Sequence, residues 1–265
     1  MSGRIEQVNG IVVNTGVKLY RNPAINKGTR ALFDMSNKSS GGQASTAAGA
    51  VIKSRSYEDS TGTLSRAHNY ANGGMIWEGV SGDQFQLPAQ FVPDISDKHW
   101  LFTVWLKVTS GGSSGFNNQT LNIGPAYNIV TAHLRIVPTC DANGKPSNIE
   151  VRCMAKQYVV TSQLLPLYDG NVHQLSVECE ISADGTQQKM ILWLDGVSVF
   201  NSGFAAISGT LPSDSSQRYI GTSASLPRSW AGTFYGVRFD DLVTSDMSAS
   251  DVIASDSAFY RKKYT

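Results

Sequence analysis

Two apolar alternations and one tight turn constrain this chain more than anything else in it. From Val172 onward, Leu175, Val177, Cys179 and Ile181 alternate with Gln174, Ser176, Glu178 and Glu180, the period-two pattern of a strand with one buried face. Further on, Ile191-Leu192-Trp193-Leu194 and Val197-Ser198-Val199 flank Asp195-Gly196. Asp-Gly supplies the positive φ angles of a two-residue type I′ turn, so the segment predicts a β-hairpin. A second hairpin is predicted where residues 133–137 and 149–153 flank Asp141-Ala142-Asn143-Gly144. Phe102, Val104, Leu106 and Val108 share one face of a long strand. Trp105 then falls on the other face and needs cover from a second sheet, a loop or another chain.

Turn signals recur along the chain, helix periodicity is nearly absent, and β-branched and aromatic residues crowd the apolar runs, so the fold class is all-β. The one predicted helix follows Ser248-Ala249-Ser250-Asp251, a capping box, and ends in basic residues near Arg261. The order Asp169-Gly170, strand, variable loop, strand, Asp195-Gly196, strand resembles the laminin G-like domains of the concanavalin A-like lectin and glucanase superfamily. Gly79 to Pro88 and Leu101 to Lys107 resemble the opening strand and first long inner strand of that family. Tyr219-Ile220-Gly221, Trp230-Ala231-Gly232 and Val237-Arg238-Phe239 resemble its closing strands, and residues 248–260 its terminal helix. The resemblance implies an antiparallel β-sandwich jelly roll over residues 74–265, in a family whose members bind sugars, calcium or proteins far more often than they catalyse. Val172 stands where the family usually has Trp, and Phe234-Tyr235-Gly236 replaces its usual Ile and two acids, so a site built on those acids does not carry over.

Residues 1–73 fit the resemblance poorly. Ile11-Val12-Val13 and Val17-Lys18-Leu19-Tyr20 have strand character, and residues 36–50 are almost wholly small and polar. This segment reads either as an arm that orders against a neighbouring subunit or as the first strands and a surface loop of the sandwich. A chain of 265 residues accommodates one sandwich with such an addition.

Charged residues make up 16% of the chain, against about 25% in soluble domains generally, so Ser, Thr, Asn and Gln supply much of the polar surface. A net charge of +1 gives no attraction for nucleic acid or anionic membranes, and no run approaches the ~18 apolar residues of a membrane span. Three cysteines at these spacings form neither a disulfide framework nor a zinc site. Cys153 and Cys179 read as buried, and Cys140, in a turn, as exposed. The start lacks a signal-peptide core. These features together lead to the expectation of a non-enzymatic bacteriophage virion protein of the tail, baseplate or capsid surface, folded in the host cytoplasm and released by lysis. Its expected partners are other virion proteins, further copies of itself and a host-surface glycan. The rival readings are a secreted bacterial carbohydrate-binding module and a glycoside hydrolase.

Candidate chemistry is sparse. The superfamily's hydrolases carry Glu-x-Asp-x-x-Glu, which sets two carboxylates at the ~5–5.5 Å separation of retaining hydrolysis. The motif is absent, and Glu178 with Glu180 is the nearest substitute, read as outward solvated charge. No catalytic residue is expected. Calcium is the one cofactor considered, with Asp83, Asp169 and Asn171 as loop candidates, while Asp141-x-Asn143-Gly144 reads mainly as a hairpin turn. His173 reads as a rim histidine with one satisfied nitrogen. His68, His99 and His133 lack partners at metal-ligand spacing. Loop aromatics and amides suit sugar binding, because a flat ring covers the apolar face of a pyranose and amides bind its hydroxyls. Phe116, Asn117, Asn118, Tyr127, Asn128 and Trp230 are the candidates, with Trp230 open to a second role as a core plug.

Overall fold

Period-two alternation becomes two facing antiparallel sheets. A computed structural model describes residues 22, 24–43, 47–56, 59–93, 96–115, 118, 120–123, 132–207, 218–221 and 230–264. Its strands are β1 (Thr29–Asp34), β2 (Val51–Lys53), β3 (Thr61–Leu64), β4 (Tyr70–Ala71), β5 (Gly74–Glu78), β6 (Gln84–Gln86), β7 (His99–Ser110), β8 (Leu121–Ile123), β9 (Leu134–Cys140), β10 (Pro146–Cys153), β11 (Lys156–Val159), β12 (Val172–Ile181), β13 (Gln187–Leu194), β14 (Val197–Ala206), β15 (Arg218–Gly221) and β16 (Ala231–Asp241). Helical segments are α1 (Thr161–Leu164), α2 (Leu242–Ser245) and α3 (Ala249–Tyr264). The first sheet runs β14-β13-β12-β7-β16-β5-β4, with β1 also on β16, and the second runs β11-β10-β9-β8-β15-β6-β3-β2. This is the expected all-β sandwich with a C-terminal helix.

Inward positions of both sheets form one core. Leu175, Val177 and Cys179 from β12 and Phe102, Val104 and Leu106 from β7 meet Leu134, Ile136, Ile149 and Val151 from the second sheet. Rings interlock at one end, where Trp77 stacks on Trp230 at 5.6 Å and lies edge-on to Phe234 at 6.0 Å. The Asp195-Gly196 turn has φ of 51° and 85°, as type I′ geometry requires.

The N-terminal boundary differs from the one read in sequence. β1 pairs with β16 along Thr29 to Asp34, and Ala31, Phe33, Met35, Ile52 and Leu64 all lie in the main core. The sandwich therefore includes strands before Gly74. Ile11 to Val13 and Val17 to Tyr20 lie outside the described residues. Cys140 is corrected from exposed to buried, because the Ser113 to Gly115 segment bridges to it and Gly111 packs on its sulfur. Burial pushes its thiol up to about 11.

Trp105 finds its cover in α3. Residues Ala249, Val252, Ile253, Asp256, Tyr260 and Tyr264 form the buried stripe of this helix, at spacings of three and four. Asp256 is the anomaly in that stripe, and it organises the contact. Its Oδ2 accepts from Trp105 Nε1 at 2.6 Å and Gln174 Nε2 at 2.8 Å, while Oδ1 accepts from Arg238 Nη1 at 2.8 Å. Arg238 also holds Asp240 through Nε at 2.7 Å and Nη2 at 2.6 Å. Burial alone would lower the Arg238 pKa, but the flanking carboxylates raise it, so the group stays charged. Asp34 adds a second tie, accepting from Lys263 Nζ at 2.6 Å and Tyr264 Oη at 3.2 Å.

Removing one partner of a buried ion network leaves the rest desolvated and unpaired, at a cost of about 3–5 kcal/mol. Asp256→Ala should therefore lose that much in urea unfolding, while Ser248→Ala, which removes only the α3 cap, should lose about 1 kcal/mol. Equal losses in the two variants would contradict this account of the helix contact.

Candidate functional site

A cleft with both apolar and polar walls forms where three segments meet at one end of the sandwich. The first is the end of β7, Thr109-Ser110 with Gly111. The second is the β9–β10 turn, where Asp141 Oδ1 accepts from the backbone of Asn143 at 2.8 Å and Lys145 at 2.9 Å. Gly144 sits at φ 75° against Ser110 Oγ, a place with no room for a side chain, and its carbonyl accepts from Gly111 N at 2.8 Å. The third is the helical connection from α1 to Asp169. Thr161 Oγ1 accepts from Ile149 N at 3.0 Å, and Leu164 and Leu167 plug into the core, which seats the connection on β10.

These segments enclose about 530 Å³. Leu165, Pro166 and Tyr168 give it an apolar wall, and Ser110, Asn143, Lys145, Ser162 and Asp169 a polar one. Tyr168 is half-buried, with its hydroxyl inside and burial raising its pKa. Asn143 and Lys145 are exposed on the turn. A groove of this mixed character suits an amphipathic ligand.

At the rim lies an ion cluster. His173 lies between two carboxylates, with Nδ1 2.6 Å from Asp195 Oδ2 and Nε2 2.9 Å from Asp169 Oδ1, an arrangement that favours the imidazolium, and Arg261 reaches Asp195 Oδ1 at 2.9 Å. The expectation of one satisfied nitrogen is corrected, since the β13–β14 turn brings Asp195 to the second. The Asp195 hydrogen bond, joined by Asp169 and opposed by burial, raises the His173 pKa. The His173 hydrogen bond holds Asp169 down to about 2, although that carboxylate is largely exposed. Burial would raise Asp195, but His173, the Gln174 backbone and Arg261 lower it on balance.

The other sequence candidates fall elsewhere. Asn118 is buried at 1% exposure with its Nδ2 on the Ser113 carbonyl, and Trp230 is buried in the ring stack. Neither offers a sugar-facing surface, and Trp230 takes the core role. Phe116, Asn117, Tyr127 and Asn128 lie outside the described residues. Asp83 is fully buried with its Oδ1 3.0 Å from His68 Nε2, an ion-pair distance, and His68 stacks on Trp77. Asn171 donates to Asp169 within one loop at 3.0 Å. Among the described residues, no cluster of three or more His, Cys, Asp or Glu is arranged for a metal ion.

Glu178 is buried rather than solvated, because Trp193 and His99 cover it. Its Oε2 accepts from Trp193 Nε1 at 2.9 Å and its Oε1 lies 2.8 Å from His99 Nε2. Glu180 pairs with Lys189. Sequence reading missed Ser110, Lys145, Ser162, Leu165, Pro166 and Tyr168. The one local signal was Pro166 just before Asp169-Gly170, which marks a structured turn beside a loop. Nothing local shows that the end of β7 meets it.

No family profile and no curated protein matches this sequence. Solved structures do share its fold. The sialidase of Trypanosoma rangeli superposes with a TM-score of 0.53 at 13% identity, over 89% of this chain and 33% of the sialidase. The chain thus spans about a third of the length of these sialidases. Domain 4 of AbnA, a GH43 extracellular arabinanase from Geobacillus stearothermophilus solved with arabinotriose, has a TM-score of 0.50 at 12% identity, over 87% of this chain and 98% of that domain. The botulinum neurotoxin serotype D binding domain has a TM-score of 0.51 at 12% identity, over 88% of this chain and 53% of that one. At these identities the likeness establishes the fold. It also corrects the expectation of a non-enzyme: parts of sialidases and a domain of an arabinanase share this fold, so the fold gives no ground for excluding catalysis.

The rim cluster has a defined pH response. His173 has a folded pKa above its unfolded value of about 6.5, so its stabilisation is complete below that pH and is lost as pH rises through the folded value. Asp169 and Asp195 have lowered values, so theirs is present above about pH 4 and is lost as pH falls. The stability gap between wild type and His173→Gln in urea should be widest at about pH 5–6 and shrink by about pH 9. A gap independent of pH would refute the ion cluster.

Proposed function

We propose that this chain is a glycan-recognition domain and that the cleft between β7, the β9–β10 turn and the α1 connection is its sugar site. The carrying observation is the division of that cleft into an apolar wall of Leu165, Pro166 and Tyr168 and a facing set of hydroxyl, amide, ammonium and carboxylate groups. A pyranose or furanose ring has the same division, with C–H surface on one side and hydroxyls around its edge. The neighbours support the reading, since one is a domain solved with arabinotriose and others are parts of sialidases. A place in a phage particle, with other virion proteins as partners, stands as a further proposal, supported by the low charge and polar composition, which suit wet contacts with neighbouring subunits.

The test is a glycan array followed by calorimetric titration of the best neutral oligosaccharide, with release of reducing ends followed in parallel. Asn143→Ala and Lys145→Ala should each weaken binding about fivefold, the equivalent of one net hydrogen bond of ~1 kcal/mol. Both side chains are exposed on a turn, so melting temperature should not move. Wild-type affinity in both variants would remove the cleft from consideration.

A further inference from the structure

A second pocket opens on the outward side of the first sheet, past the end of α3. Leu106 and Val108 point into the core, so Lys107 between them points out, and Thr109 of the cleft follows it on the same face of β7. Tyr235 of β16 and Tyr264 of α3 pack together with ring centroids 4.9 Å apart and form the floor of this pocket. The turn at Asn72-Gly73 closes one side against the helix end, where a side chain on Gly73 would lie 3.5 Å from the Lys263 carbonyl. Gly170 and Asn171 close another. The enclosed volume is about 570 Å³.

Two ammonium groups line this space, from Lys107 and Lys263. Lys107 is half-buried and has no ion-pair partner among the described residues. Lys263 gives one hydrogen bond to Asp34 Oδ2 at 2.6 Å, which leaves two of its N–H donors over, and its side chain is 33% exposed. Asp34 does not neutralise it alone, since the same carboxylate oxygen pairs with Arg55 at 3.0 Å. Asp169, just before Gly170, is engaged by His173. The pocket therefore has an excess of positive charge, with the exposed amides of Asn72 and Asn171 at its edge.

The pocket also adjoins the cleft. Asp169 lines the cleft, and the next two residues of the chain line the pocket. Lys107 of the pocket and Thr109 of the cleft stand about 7 Å apart along one strand.

We propose that this pocket is a subsite for an acidic sugar, in which Lys107 and Lys263 attract the carboxylate and the two amides meet ring hydroxyls, beside the unit held in the cleft. Charge-assisted hydrogen bonds of ammonium to carboxylate are about twice as strong as neutral ones, and a partly enclosed site screens them less than open water. This inference rests on the glycan-recognition reading and extends it to the class of sugar.

Calorimetric titrations with trigalacturonate, its fully methylated ester and inorganic sulfate test it. The ester keeps the rings and linkages and lacks the charge. Trigalacturonate should bind the wild type about tenfold more tightly than the ester, the scale of one charge-assisted hydrogen bond. Lys107→Gln should remove most of that preference without moving the melting temperature or the ester affinity. Lys263→Gln should reduce the preference as well, with a lower melting temperature because Asp34 loses a partner. Trigalacturonate bound no more tightly than the ester, or a preference that survives Lys107→Gln, overturns the proposal; ester binding that Asn143→Ala weakens then leaves the cleft reading intact. Failure of both forms to bind overturns it too, and the neutral oligosaccharide from the array then decides the cleft by itself. Sulfate bound as tightly as trigalacturonate overturns the sugar assignment in favour of a simple oxyanion site. A Lys107-dependent preference in a protein whose affinity Asn143→Ala leaves unchanged upholds the pocket and removes the cleft.

Discussion

One buried guanidinium joins the outer layer of this protein to its first sheet. Arg238 projects from β16 away from the sandwich core and binds Asp240 on its own strand and Asp256 on α3. Through Asp256 it fixes Trp105 and Gln174, and through Thr29 it reaches the start of β1. Five elements of the chain thus share one cluster, in which a single guanidinium bridges two carboxylates. A buried charge tolerates few alternatives, since any other seating of α3 would strand an ion. The helix is consequently placed by electrostatics as much as by its apolar stripe, and its position brings Arg261 to the rim cluster.

Local pattern carried much of this architecture. Alternation located β7 and β12, Asp195-Gly196 located the hairpin, and Ser248 to Asp251 located the start of α3. What local pattern does not encode is pairing at a distance. β1 looked like part of a detachable segment because its partner, β16, lies at the other end of the chain. The exposure assigned to Cys140 and Glu178 failed for the same reason, as their covers come from Ser113 to Gly115 and from Trp193 and His99. The cleft shows the limit most clearly. Asn143 was legible as a turn residue and Asp169 as a loop acid, but their convergence with Ser110 and Tyr168 depends on how the two sheets stack.

The cleft is built from turns and a helical connection around a mixed apolar and polar hollow, which suits neutral sugar surface. Such a hollow is compatible with a fold shared by parts of sialidases and an arabinanase domain.

The placement of β16 has a consequence for how the chain is made. This strand lies between β7 on one side and both β5 and β1 on the other, and Thr29 is 209 residues away from Arg238. Contacts of such separation form slowly, because the intervening chain must first be confined. While synthesis proceeds from the N-terminus, β1, β5 and β7 therefore present open edges until β16 emerges. The local run from β12 to β14 can zip up earlier. Aggregation risk is thus concentrated in the interval before the last strand is inserted, when apolar edges and the unseated Trp105 face solvent together.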